Sequence, residues 1–237
     1  NIKKEDPKWE DRDRFILSKG HAGIAYAPVL CDFGYNDPEQ LKTFNLTNSK
    51  MGIHLDSNKV AGVDASTGSL GHGIPIAAGT AIAARVLGKD YYTYVVTGNG
   101  ELDEGSNWDG LMTIRHYNLT NCITIVDRNH CMIDGNTEDV MKLEPLADKF
   151  VAFGFHTIVC EGNNIVSLCK AIDEAHKTKD KPTVIVADTI KGVGIKLTSG
   201  NYKWHYGAID EEMAKVAAKD LDEYSAERIA RCGKEFE

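Results

Sequence analysis

The chain lacks a C-x-x-C pair: its six cysteines, at positions 31, 122, 131, 160, 169 and 232, are scattered. That spacing suits the reducing cytoplasm better than a disulfide scaffold. Cys122, Cys160 and Cys169 sit in apolar segments, as small buried hydrophobes do. There is no apolar run near the ~20 residues that span a membrane, and no signal-peptide pattern opens the chain. An excess of basic residues is missing too: 27 Lys and Arg face 35 Asp and Glu, a net charge of −8. A nucleic-acid surface needs a basic face, so that class of partner is set aside. Neither a repeat nor a low-complexity linker divides the 237 residues, and one domain over 1–237 is expected. The first residue is Asn1, ahead of a polar run, which gives the expectation that part of the natural N-terminus is missing.

What is present is an alternation. "YYTYVVT" (91–97), "NCITIVD" (121–127), "FHTIVC" (155–160) and "PTVIVADT" (182–189) are β-branched and nearly continuously apolar. Parallel strands covered on both faces read this way. Between them, "EGSNWDGLMTIRHYN" brings Trp108, Leu111, Met112 and Arg115 on or near one helical face. "NIVSLCKAIDEAHKT" spaces Ile165, Leu168, Cys169 and Ile172 in the same manner. The expected fold is α/β, a doubly wound, mostly parallel sheet with helices on both faces. In such sheets a ligand lies beyond the C-terminal strand ends. "TGNGE" and "DRNHCMIDG" both fall there. Upstream, "STGSLGHGIPIAAGTAIAARVLG" (66–88) is a glycine-rich turn running into a small-residue helix, which serves close packing or an anion equally well. Residues 210–232 form one or two solvated amphipathic helices.

Chemistry-bearing residues cluster in these turns. Asn129 alone suits a turn cap. Paired with "GNGE" on the preceding strand end, it offers side-chain oxygens and carbonyls to a hard cation, Mg²⁺ or Ca²⁺, with backbone N–H groups for a diphosphate. His21, His54 and His205 lie in polar or glycine-rich loops, where solvation is the common fate. Three together fit anion contacts and proton handling better than a transition metal. Glu101 and Glu104 open the helix after the loop, a position that favours carboxylates in any case. Lys191 follows the last strand, free for a phosphate or for solvent.

"DRDRFILSKGHA", "STGSLGHG", "GNGELDEG", "VDRNHCMIDG" and "TIKGVG…KWHYGA", in order from about residue 10 to 207, resemble the thiamine-diphosphate-binding half of transketolase. The resemblance implies the thiamine-diphosphate-binding fold, and the N-terminal subunit of a split enzyme. The activity implied is transfer of a two-carbon ketol unit from a ketose, anionic at its tail, to an aldose. In the family a Gly-Asp-Gly aspartate, an asparagine and a backbone carbonyl hold the metal that bridges the diphosphate. Carried over, these are Asn99, Asn129 and the carbonyl of Cys131. Asn99 departs from the pattern: it keeps an oxygen but removes a negative charge beside a dication. His21 and His205 are expected to face the diphosphate and the reacting centre, and His54 the donor sugar. Gly68 and Leu70 line the cofactor, Gly98, Gly100 and Glu101 meet its diphosphate end, and Lys191 lies nearby. Glu104 joins a carboxylate network between paired sites. The resemblance places the aminopyrimidine-activating glutamate on a separate C-terminal subunit, giving a hetero-oligomer with two copies of each chain and no activity in isolation. Two other readings stay open: a 2-oxoacid dehydrogenase-type subunit, and a non-catalytic subunit in which Asn99 has replaced the metal-binding aspartate.

Overall fold

A computed structural model describes residues 1–232. The chain opens with β1 (Arg14–Leu17) and α1 (Gly23–Asp32), then crosses a long connection to α2 (Gly73–Val86) and β2 (Thr93–Gly98). There follow α3 (Gly105–His116), β3 (Cys122–Arg128), two short helices α4 (Thr137–Val140) and α5 (Leu146–Ala152), and β4 (His156–Glu161). The last elements are α6 (Ile165–Lys177), β5 (Thr183–Asp188) and α7 (Glu211–Cys232), a single helix over the segment that left one or two open.

All strand pairs are parallel and the sheet order is β1-β2-β3-β5-β4. One face carries Val95, Val126, Val184 and Val186, packed under α2, α3 and α5 through Ile74, Ala77, Leu111, Ile114 and Phe150. The other carries Ile123 and Ile185 beneath Ala171 and Ala175 of α6. Helices therefore cover both faces, as expected of a doubly wound sheet. Small residues at 77, 78 and 81 let α2 sit close to the sheet and to α3.

Four local expectations are corrected. Only β3 and β5 are buried on both faces; β2 alternates, and β4 is an edge strand whose Val159 is 62% exposed. An apolar run reads alike at the centre and at the edge of a sheet. In α3 the buried stripe runs through Asn107, Gly110, Leu111 and Ile114, while Met112 points outward at 53% exposed. In α6 the stripe is Ala171 and Ala175, so Ile165 is exposed, Leu168 and Ile172 only half-buried, and Cys169 an exposed thiol. Cys160 is half-buried and Cys122 fully buried; Cys31 and Cys131 are free thiols as well. No described helix is long and apolar enough to cross a membrane. The strand that sequence reading passed over, β1, has only "RFIL" between Asp13 and Ser18, and its pairing with β2 brings Ser18 and Lys19 to the same sheet edge as Gly98.

Candidate functional site

Parallel strands deliver their C-terminal ends to one edge, so the turns after β1, β2, β3 and β5 meet there. They enclose a cavity of about 560 Å³, within the range of small-molecule sites. Its walls include His21, Gly68, Leu70, Gly98, Asn99 and Gly100. Glu101, Glu104, Asn129, Cys131, Lys191 and His205 complete them. Every expected site residue except His54 lines it. The His54 ring packs on the Gly68 turn, where an added Cβ would come within 2.8 Å of it, and Gly68 has φ +151°. His54 thus borders the cavity from outside the wall, close enough for its charge to bear on His21. A cavity of about 670 Å³ near Glu161, Asp188, Tyr224 and Arg228 contains none of these residues, so size alone does not locate the site.

Glu101 is a buried anchor rather than a helix cap. Its Oε1 accepts from the Ser18 hydroxyl and from the Gly71 N–H at 3.0 Å, and its Oε2 from the Gly98 N–H at 3.1 Å. One carboxylate therefore holds the turns after β1 and β2 and the turn before α2 in register. Ser18 Oγ in turn accepts from the Gly73 N–H at 3.1 Å. Asp127 has a parallel role at the end of β3. It pairs with Lys19, accepts from Thr189 Oγ1, and accepts from Asn129 Nδ2 at 3.0 Å. Burial works against this carboxylate, yet the Lys19 charge and the three hydrogen bonds outweigh it and hold its pKa below the ordinary range.

One side of the cavity gathers two lysines, Lys19 and Lys191, and two histidines, His21 and His205. The His21 and His205 rings lie 5.0 Å apart. Burial first, then the Lys191, His21 and Lys19 charges, lower His205 to about 4. His21 is lowered by burial and by Lys19, and Lys191 by burial and Lys19. Both histidines are therefore neutral near pH 7, in a positive field that an anion would relieve. Lys19, Asp127 and Ser18 were not singled out in the sequence. They lie inside the quoted blocks at strand C-termini, and the strand-end rule was the signal that could have found them. Met132, Ile133 and Ile24 add an apolar wall.

The chain matches the family model "Transketolase, thiamine diphosphate binding domain" over residues 1–226. It belongs to the transketolase family. Among curated relatives, it is 39% identical over 211 residues to an apulose-4-phosphate transketolase subunit of Actinobacillus succinogenes, covering 89% of this chain and 76% of that one. Similarity to the 6-deoxy-6-sulfo-D-fructose transketolase subunit SqwG of Clostridium sp. is 36% over 225 residues, 95% of this chain and 82% of the relative. Among solved structures, transketolase from Campylobacter jejuni superposes with a TM-score of 0.87 at 30% identity, over 92% of this chain. Transketolase from Leishmania mexicana superposes at 0.83 with 33% identity over 97%. The chain spans only 35% and 39% of those two transketolases, but about four-fifths of the subunit relatives.

Thiamine diphosphate fits this transketolase cavity: cationic side chains and glycine turns stand beside the apolar wall of Leu70 and Ile133. The dication donor set does not fit as it stands. Asn99, 1% exposed, accepts the His130 N–H on Oδ1 at 3.0 Å and donates Nδ2 to the Cys131 carbonyl at 3.0 Å. Asn129 Oδ1 accepts the Cys131 N–H at 3.0 Å. The oxygen expected from Asn99 is turned to the His130 N–H, and its amide nitrogen faces the Cys131 carbonyl, itself an expected ligand. Reversing the amide would set donor on donor and acceptor on acceptor, at about 1–3 kcal/mol for each buried group left unmatched.

Proposed function

We propose that this chain is the diphosphate-binding subunit of a two-chain transketolase, acting in the cytoplasm as one domain over 1–237. The observation that carries the reading is the convergence of Lys19, His21, Lys191 and His205 on one side of a cavity at the strand ends. Lys19, Lys191 and the backbone N–H of Gly100 bind the diphosphate, with Gly98, tied through its own N–H to Glu101, shaping the turn beside it. Gly68 and Leu70 leave space along the cofactor wall. His21 and His205, neutral at pH 7, stand ready to accept a proton beside the reacting centre, and a bound anion brings their pKa values up towards the working pH, where proton transfer is efficient. His54 meets the donor sugar from the Gly68 turn, and Glu104 faces the carboxylate network between paired sites. When bound, thiamine diphosphate supplies the electron sink for breaking the ketose C–C bond.

The two subunit relatives are named for a sugar phosphate and a sulfo-sugar. Both carry an anionic tail, and this supports an anionic ketose as donor. A partner chain of the C-terminal type supplies the acid that activates the aminopyrimidine, in an assembly with two copies of each chain. Co-expression with such a partner, mass measurement in solution, and assay of ketol transfer test the proposal. Transfer by the complex and none by this chain alone is the expected result. Pyruvate decarboxylation without ketol transfer would favour the 2-oxoacid dehydrogenase-type reading, and an inert, cofactor-free complex the non-catalytic one.

A further inference from the structure

Position 99 carries an inference that rests on the cofactor reading above. Each oxygen expected to hold a dication instead accepts an N–H: Asn99 Oδ1 that of His130, the Cys131 carbonyl that of Asn99 Nδ2, and Asn129 Oδ1 that of Cys131. Both partners of the Asn99 amide are backbone groups of fixed polarity, so its orientation is dictated by them. A carboxylate at this position could accept from His130 with one oxygen. Its other oxygen would then face the Cys131 carbonyl, acceptor against acceptor, and a cation between them would resolve the conflict. The amide resolves it with an N–H. The His130 backbone holds φ 61°, a left-handed turn that aims its N–H at Asn99. Among the described residues no group of three or more His, Cys, Asp or Glu side chains could hold a metal elsewhere.

The charge a dication would bring also has a replacement. Lys19 lines the cavity, although it is shared with Asp127. Lys191 lines it with no carboxylate in salt-bridge contact among the described residues; its Nζ hydrogen-bonds the neutral His205 ring, at 3.3 Å. We propose that Asn99 takes the place of the divalent cation in this chain, latching the loop after β2 to the loop after β3, and that thiamine diphosphate is held by Lys191 and Lys19 without a metal.

The test uses the complex of this chain with its partner subunit, stripped of metal, and titrates thiamine diphosphate calorimetrically with chelator present and then with Mg²⁺. The native complex is expected to show affinities within about threefold of each other, a difference below the ~1.4 kcal/mol of a tenfold change. Metal content of the dialysed, cofactor-loaded complex should fall well short of one ion per cofactor. Asn99→Asp should make binding metal-dependent by about tenfold or more, and Lys191→Met should weaken metal-free binding by a similar factor. A loss of about tenfold in the native complex on chelation, restored by Mg²⁺, would overturn the inference and leave the cofactor reading intact. Binding in neither condition would overturn both. If Asn99→Asp does not fold, the native titration and the metal content decide the matter without it.

Discussion

The Nζ of Lys191 stands 3.3 Å from Nδ1 of His205. An ammonium can only donate, so this contact makes Nδ1 the acceptor and leaves the ring proton on Nε2. A lysine on the β5 turn thereby selects the tautomer of a histidine fourteen residues away, and its charge helps keep that histidine neutral.

Replacing Lys191 with Met should raise the His205 pKa from about 4, while burial, the larger cause, keeps it below 6.5. Titration of the His205 ring protons by NMR reads the shift. An unchanged pKa would mean that the Lys191 contact is not made in solution.

Acid should weaken the fold through the same histidine. Above the unfolded pKa of 6.5 both states hold it neutral and stability is complete. As pH falls from 6.5 towards about 4, the unfolded chain binds a proton that the folded chain refuses, so stability declines. Below about 4 both states carry the proton and this contribution to the decline ends. His21, lowered as well, acts in the same direction. Urea midpoints across this range for the native chain and for His205→Phe check it; the native curve should be the steeper.

Diphosphate binding should take up protons. Burial first, and then the cationic surroundings, depress His21 and His205; a bound anion offsets the second cause, so both pKa values rise on binding. Thiamine diphosphate affinity is therefore expected to strengthen as pH falls below neutrality towards the free-state pKa of His205, about 4. Calorimetry in buffers of different ionisation enthalpy measures the proton uptake directly, and net proton release would contradict the cationic cavity.

Glu101→Gln should be more damaging than its near-isosteric shape suggests. The carboxylate accepts from three donors on three turns, whereas an amide would turn an NH₂ toward at least one of them. A loss of about 2–3 kcal/mol is expected for a buried network broken in this way. Chemical denaturation measures it, and a cofactor titration of the folded fraction should show weaker binding because the Gly71 and Gly98 turns lose their common anchor.

Asn129→Ala and Asn118→Ala should separate cleanly. Asn129 joins Asp127 to the Cys131 N–H at the cavity wall, so its loss falls on cofactor affinity. Asn118 follows α3 with φ 47° and is not part of the cavity wall, and Ala there costs about 1 kcal/mol of stability with affinity unchanged. Equal effects on affinity would remove Asn129 from the site.

The sequence by itself determined the alternation of strands and helices, the family, and the turns that build the site. Those signals are local or ordered along the chain: β-branched runs, glycine at tight turns, and blocks placed just after strand ends. Tertiary structure decided what each polar group faces. Glu101 reads as a helix opener until Ser18, Gly71 and Gly98 are brought to it from β1, α2 and β2. Asn99 reads as an oxygen ligand until the backbone of His130 and Cys131 sets which end of its amide turns inward. Met112 and Cys169 follow apolar periodicity yet lie at the surface, because the covering layer, not the helix, selects the buried stripe. A hydrogen-bond orientation depends on donors and acceptors contributed by segments remote in sequence, and only the folded chain brings those together.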